Sequence, residues 1–273
     1  MRGRSHPLCL DRAVKTPITR RAVLAMLAGG AAAPLVAQRT RELEVPYVPT
    51  PEDLVEKMLD LAEVGEADYL IDLGCGDGRI PIAAGRRGAR ALGVDLDAMR
   101  LQQAGAGARH AGVQGRVSFR HQDLFQTPIF EASVIALYLL PGINLRLRPR
   151  LLTELPAGAR IVSHAFDMGD WEPDARDELD SRRIFLWRVP AIAGGSWELT
   201  GPDGRLHVLE LEQLYQNVGG TLASEGRSLP VTGRLSGRAL SLAGDGFALN
   251  LDVGDAGMQT AAGQPAWTAR RVD

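Results

Sequence analysis

The chain has 273 residues, 45% of them apolar and 23% charged, with a formal net charge of −2. That length holds one large domain or two modest ones, each able to bury its own core. The near-neutral balance argues against a protein whose main partner is nucleic acid, which needs a basic surface. Two cysteines, Cys9 and Cys75, and five scattered histidines offer neither a disulfide framework nor the ligand spacing of a metal site.

Thr19, Arg20 and Arg21 precede the weakly apolar run AVLAMLAGGAAAPLVA, which reads as a twin-arginine export signal spanning residues 1–37. The run is too short and too rich in Ala and Gly for a membrane span. Gly29, Gly30 and Pro34 would interrupt a buried helix. The expectation is a mature chain that starts near Gln38, without a membrane span, in the periplasm or beyond; if the leader is not used, the protein is cytoplasmic.

Next comes a proline-bracketed extended segment holding Tyr47, then a helix start at which Thr50 is placed to cap and Pro51 to open the first turn. Leu54, Val55, Met58, Leu61 and Ala62 recur at helical spacing. Strands then alternate with helices: strands at 69–73, 91–95, 117–121, 133–139, 160–164 and 184–189, helices at 80–87, 98–111 and 144–155. This alternation predicts an α/β fold, a doubly wound and mostly parallel sheet over residues 38–190, with ligands at the carboxyl ends of the strands. The arginines at 146, 148 and 150 read as a solvated helix face. After Pro190 the helical periodicity stops, and short alternating runs between Gly-rich turns predict six to eight strands. Residues 191–273 are therefore expected to form a small antiparallel barrel or sandwich that presents substrate, pairs two subunits or, by default, only covers the sheet edge.

The first strand runs into IDLGCGDGRI, with glycines at 74, 76 and 78. A dinucleotide fingerprint G-x-G-x-x-G fails in either register, since its third glycine would fall on Arg79 or Pro81. What remains is Asp72-x-Gly74-x-Gly76-x-Gly78, with Asp95 ending the next strand. An ionised carboxylate there accepts two hydrogen bonds from vicinal ribose hydroxyls, and Asp123 after the third strand is placed to accept from an adenine amino group.

This constellation resembles the class I S-adenosylmethionine-dependent methyltransferases over roughly residues 46–190. VPYVPTP, DLGCGDGRI, LYLLPGINLRLRPRLL and ARIVSHAFDMGDWEP are similar to bacterial relatives of a lysine methyltransferase family whose mitochondrial members modify an ATP synthase subunit and an adenine nucleotide carrier. The resemblance implies S-adenosylmethionine as cofactor, held by Asp72, Gly74, Gly76, Gly78, Asp95 and Asp123, with their chain neighbours Cys75, Leu96 and Leu124. It implies a protein acceptor, lysine included, or a small-molecule nucleophile. No N-P-P-Y sequence follows the fourth strand, which disfavours adenine or glutamine amide as acceptor. Tyr138 and Tyr47 are placed to line the acceptor site and His164 to serve as its base, while Asp167, Asp170 and Trp171 organise the same loop. The competing expectation is an exported, non-catalytic module that binds the cofactor or another nucleotide.

Overall fold

The computed structural model describes residues 48–261 and 265–272. The expected export signal, its cleavage point and Tyr47 lie outside the described residues.

Helix α1 (Glu52–Leu61) buries Leu54, Val55 and Met58 as expected from the spacing, with Ala62 just beyond its end, and it buries Leu59 where Leu61 was expected, Leu61 being only partly buried. Thr50 does not cap it; the cap position is Pro51, which has no side-chain acceptor, and Asp53 Oδ1 accepts from the Leu54 N–H of the first turn at 2.8 Å. The chain then forms β1 (Tyr69–Leu73), α2 (Arg79–Arg86), β2 (Arg90–Asp95), α3 (Ala98–His110), β3 (Val117–His121), β4 (Val134–Leu137), α4 (Pro141–Glu154) and β5 (Arg160–His164). Helix α4 begins three residues earlier than the spacing suggested and continues through Pro149. Then come β6 (Ala175–Leu179) and β7 (Arg182–Arg188).

These strands make one sheet in the order β3-β2-β1-β4-β5-β7-β6. Its first five are parallel, and β7 adds antiparallel to β5. The sheet is buried on both faces because successive side chains alternate between them. Leu70, Val134, Ala136 and Val162 join the core under α1 and α2, while Ile71, Leu73, Ile135 and Ile161 join the one under α4. Strand β6 was not anticipated. Its ARDEL sequence has alternate exposure and little apolar content, as suits an edge strand guarded by charge.

β1 lies between β2 and β4, so the chain leaves it to one side and returns on the other. At such a reversal two loops diverge at the strands' carboxyl ends and open a crevice for ligands.

The rest of the described chain is a closed antiparallel barrel rather than a sandwich. Its strands are β8 (Gly195–Thr200), β9 (Leu206–Leu214), β10 (Asn217–Ser224), β11 (Arg227–Ser236), β12 (Ala239–Gly244), β13 (Phe247–Gly254), β14 (Gly257–Gln259) and β15 (Thr268–Arg271). β8 closes it by pairing with both β9 and β15. Trp197, Leu199, Leu209, Leu211, Leu240, Leu242 and Leu251 fill its core. No helix among the described residues is long and apolar enough to cross a membrane.

Candidate active site

The glycine loop leaves β1 at the switch point. Gly74, Gly76 and Gly78 have φ of 87°, 53° and 78°, left-handed backbone that side chains oppose. Space is equally restrictive: a Cβ on Gly78 would sit 2.6 Å from the Phe119 ring and 2.7 Å from Ala104, and one on Gly74 would lie 2.8 Å from Leu139.

Five of the loop's N–H groups are already in use. Gly74 and Cys75 both donate to the Val94 carbonyl, Gly78 donates to that of Cys75, Gly76 donates to Asp95 Oδ2 at 2.8 Å, and Arg79 donates to Asp77. Phosphate-binding loops offer free N–H groups to the anion; here these donors are spent. What the loop presents is carboxylate. Asp95 takes one N–H on each oxygen, from Gly76 and from Asp97, which leaves further lone pairs for a ligand's donors. Asp123 accepts from the Phe125 N–H and starts a 3₁₀ turn at Leu124–Gln126. Asp72 is 2% exposed; burial first, then the Asp95 and Asp77 charges, holds its carboxyl well above the usual carboxylate range. This set fits S-adenosylmethionine: ribose hydroxyls and an adenine amine need acceptors, and its sulfonium and ammonium need negative charge.

Of the other residues expected at the cofactor, Leu96 is exposed beside Asp95, and its carbonyl lies 2.8 Å from His121 Nε2. Leu124 packs against the core under α4. Cys75 is buried with its thiol directed over Gly93, and burial raises its pKa; at this position the side chain is packing. A groove of about 510 Å³ between α3 and β3, lined by Leu101, Gln102, Ser118 and His121 among others, lies apart from the three glycines.

Beside the loop, at the ends of β4 and β5, the structure brings together Tyr138 and His164. Their rings stack 3.8 Å apart, and Phe166 stacks 6.4 Å from Tyr138 on a nearly parallel plane. His164 is 4% exposed. Burial, with the Arg182 charge adding, pushes its pKa down to about 4, so the ring is neutral and a weak base. Its Nδ1 is hydrogen bonded to the Thr50 hydroxyl at 3.1 Å, which is where the missing helix cap went. Arg79 completes the link: it donates to the Thr50 carbonyl at 2.7 Å while pairing with both oxygens of Asp77. The glycine loop and the aromatic site are thereby tied together.

Of the arginines of α4, Arg146 is exposed as expected, but Arg148 and Arg150 are partly buried and bonded to the protein. Arg150 donates to the carbonyls of Leu124, Phe125 and Thr127, Arg146 lies 4.2 Å above the Phe125 ring, and Arg148 bonds the Met168 carbonyl and Asp170. One helix thus holds the segment after Asp123 and the loop after β5. The signal was present in sequence as three arginines at alternate positions, but it shows charge and not partners.

The ANTKMT methyltransferase domain family matches residues 72–175. A protein-lysine N-methyltransferase of Saccharolobus islandicus is 44% identical over 131 residues, 47% of this chain and 81% of the relative. The adenine nucleotide translocase lysine N-methyltransferase of Mus musculus is 36% identical over 148 residues, 54% of this chain and 64% of that protein. Among solved structures, an RNA methyltransferase from Salinibacter ruber in complex with S-adenosyl-L-homocysteine is 47% identical and superposes with a TM-score of 0.52 over 53% of this chain and 95% of its own. With a carboxylate-lined glycine loop at the switch point and relatives of this likeness, the chain belongs to the ANTKMT methyltransferase domain family and is an S-adenosylmethionine-dependent methyltransferase.

Proposed function

We propose that the protein methylates the side-chain amine of lysine in a protein substrate. The observation that carries this reading is the character of the site beside the glycine loop. Tyr138 and Phe166 are aromatic, His164 is neutral, and the glycine loop tied to them through Arg79 and Thr50 carries the carboxyl groups of Asp72 and Asp95. Aromatic faces and carboxylates attract a cationic amine and its aliphatic stem. The names of the Saccharolobus and mouse relatives support the same acceptor.

In this reading Asp95 accepts from the ribose hydroxyls, Asp123 from the adenine amine, and Leu96 and Leu124 flank the base. Asp72 supplies negative charge beneath the cationic end. The bound cofactor supplies a methyl carbon already activated by its sulfonium. The chain's main task is to hold the amine in line, which is worth about 7–11 kcal/mol of barrier. His164, with a pKa of about 4, is a poor base for an ammonium whose ordinary pKa is about 10.4. The amine must give its proton to water as it enters, a loss that desolvation among Tyr138, His164 and Phe166 favours, and His164 acts by orienting rather than by taking the proton. A non-catalytic module is not favoured, since the chain's relatives are named as enzymes.

The Salinibacter structure supports RNA as a second acceptor class. The test is calorimetric titration with S-adenosylmethionine and NAD, followed by labelled-methyl transfer to separated protein and RNA fractions. Selective binding of the sulfonium cofactor, weakened at least tenfold in Asp95→Ala, with label on protein lysine, is expected. Label on RNA alone overturns the lysine reading. Export is part of the proposal: it rests on Arg20, Arg21 and the small-residue run to Ala37, and mass spectrometry of the processed N terminus decides it.

A further inference from the structure

We propose that the barrel is a brace for the acceptor loop, acting through the Tyr215–Gln216 turn. The inference rests on the acceptor lying beside Tyr138 and His164. The loop after β5 begins there. Ala165 has a φ of 67°, and the Phe166 carbonyl, which fixes the ring facing Tyr138, accepts from Ser163 Oγ at 2.7 Å and Asn144 Nδ2 at 3.3 Å.

The far half of the same loop is held by the barrel. The Tyr215 hydroxyl donates to Asp170 Oδ2 at 3.1 Å, and its ring stacks 5.9 Å from that of Trp171 at 20°. Gln216 Nε2 donates to the Glu172 carbonyl at 2.6 Å, and Arg234 donates to Asp174 at 2.9 Å. Trp171 is fully buried, and its carbonyl accepts from Trp187 Nε1 at 2.8 Å. Barrel side chains thus engage four of the five residues from Asp170 to Asp174.

The turn itself is shaped for this contact. Tyr215 and Gln216 connect β9 to β10, and Tyr215 has a φ of 53°, a hairpin position that ordinarily goes to Gly or Asn. Tyrosine is kept there against its backbone preference, and its ring and hydroxyl are both spent on the loop. Gln216 is 1% exposed, with its backbone carbonyl accepting from the Leu235 N–H of β11, so the turn is rigid on the barrel side. Tyr215 is a positioning residue: it reaches the site through the loop and through Arg148 of α4, whose guanidinium lies 5.5 Å from its ring.

The test uses the full chain with Tyr215→Gly, which suits the turn but removes the ring, and Tyr215→Phe, which keeps the ring and removes the hydroxyl. Backbone hydrogen exchange of residues 164–172, affinity for S-adenosylmethionine, and kcat and KM for methyl transfer to poly-L-lysine are measured. In Tyr215→Gly the loop amides are expected to exchange at least tenfold faster and KM for poly-lysine to rise at least fivefold. Cofactor affinity and barrel exchange should stay within twofold of wild type, and Tyr215→Phe should recover most of the difference. Unchanged loop exchange, or a loss of cofactor affinity matching the loss of transfer, overturns the brace. If Tyr215→Gly unfolds the barrel, Gln216→Ala decides by the same criteria. A wild-type protein that leaves poly-lysine unmethylated sinks the lysine acceptor, while the exchange measurement still judges the brace.

Discussion

His164 shows how burial assigns a role that residue type leaves open. Its neutral ring is enclosed by Tyr138 and Thr50, and its pKa near 4 lies below the ordinary histidine value of about 6.5. The unfolded chain therefore binds a proton between those values that the folded chain refuses, and stability falls as pH drops through that window. Urea unfolding at pH 7 and pH 4.5 should show a loss of about 2 to 3 kcal/mol that His164→Asn lacks. Asp72 behaves oppositely. Burial and neighbouring carboxylates raise its pKa, and a cation bound beside it lowers that pKa again. Cofactor binding should release protons, seen as a dependence of the calorimetric heat on the buffer's ionisation enthalpy that vanishes in Asp72→Asn.

At the scale of elements, the glycine loop and α4 act as a pair. Left-handed backbone at Gly78, with Phe119 and Ala104 within 2.7 Å of where a Cβ would be, leaves no room for adaptation. Gly78→Ala should cost about 3 kcal/mol in thermal or urea unfolding, combining the strained φ with overpacking, and should abolish measurable cofactor binding. The loop was legible because glycine spacing after an apolar strand is a local pattern. Helix α4 was legible as a helix but not as a strap. Arg150 reaches back 23 to 26 residues to three carbonyls, and Arg148 reaches forward 20 residues to another; the partners are backbone atoms, which carry no sequence signature.

Across the whole molecule, the sheet and the barrel have separate cores. Buried residues of the two sheet clusters all precede Ala191, and those of the barrel cluster begin with it. A segment spanning residues 38–190 should therefore fold alone, with circular dichroism of a helix-and-sheet protein and cofactor affinity within about threefold of the full chain, since the hydrogen bonds described for the glycine loop and the Asp95 carboxylate come from β2, Asp97, Thr50 and the loop itself. Its melting temperature should be lower, because Tyr215, Gln216 and Arg234 no longer hold the loop after β5. A segment that fails to fold would show the barrel to be structural rather than a brace.

By itself, the sequence determined the strand–helix alternation, the glycine loop with its three aspartates, and the change to antiparallel strands after Pro190. These follow from side-chain periodicity, glycine's backbone freedom and the acceptor chemistry of carboxylates, all properties of residues near one another in the chain. Only the tertiary structure decided that Thr50 bonds His164 across 114 residues instead of capping its helix, that His164 is neutral, that the strands after Pro190 close into a barrel, and that β6 exists at all. Each of these depends on which distant groups meet and on how much water they lose in meeting, and neither quantity is carried by local pattern.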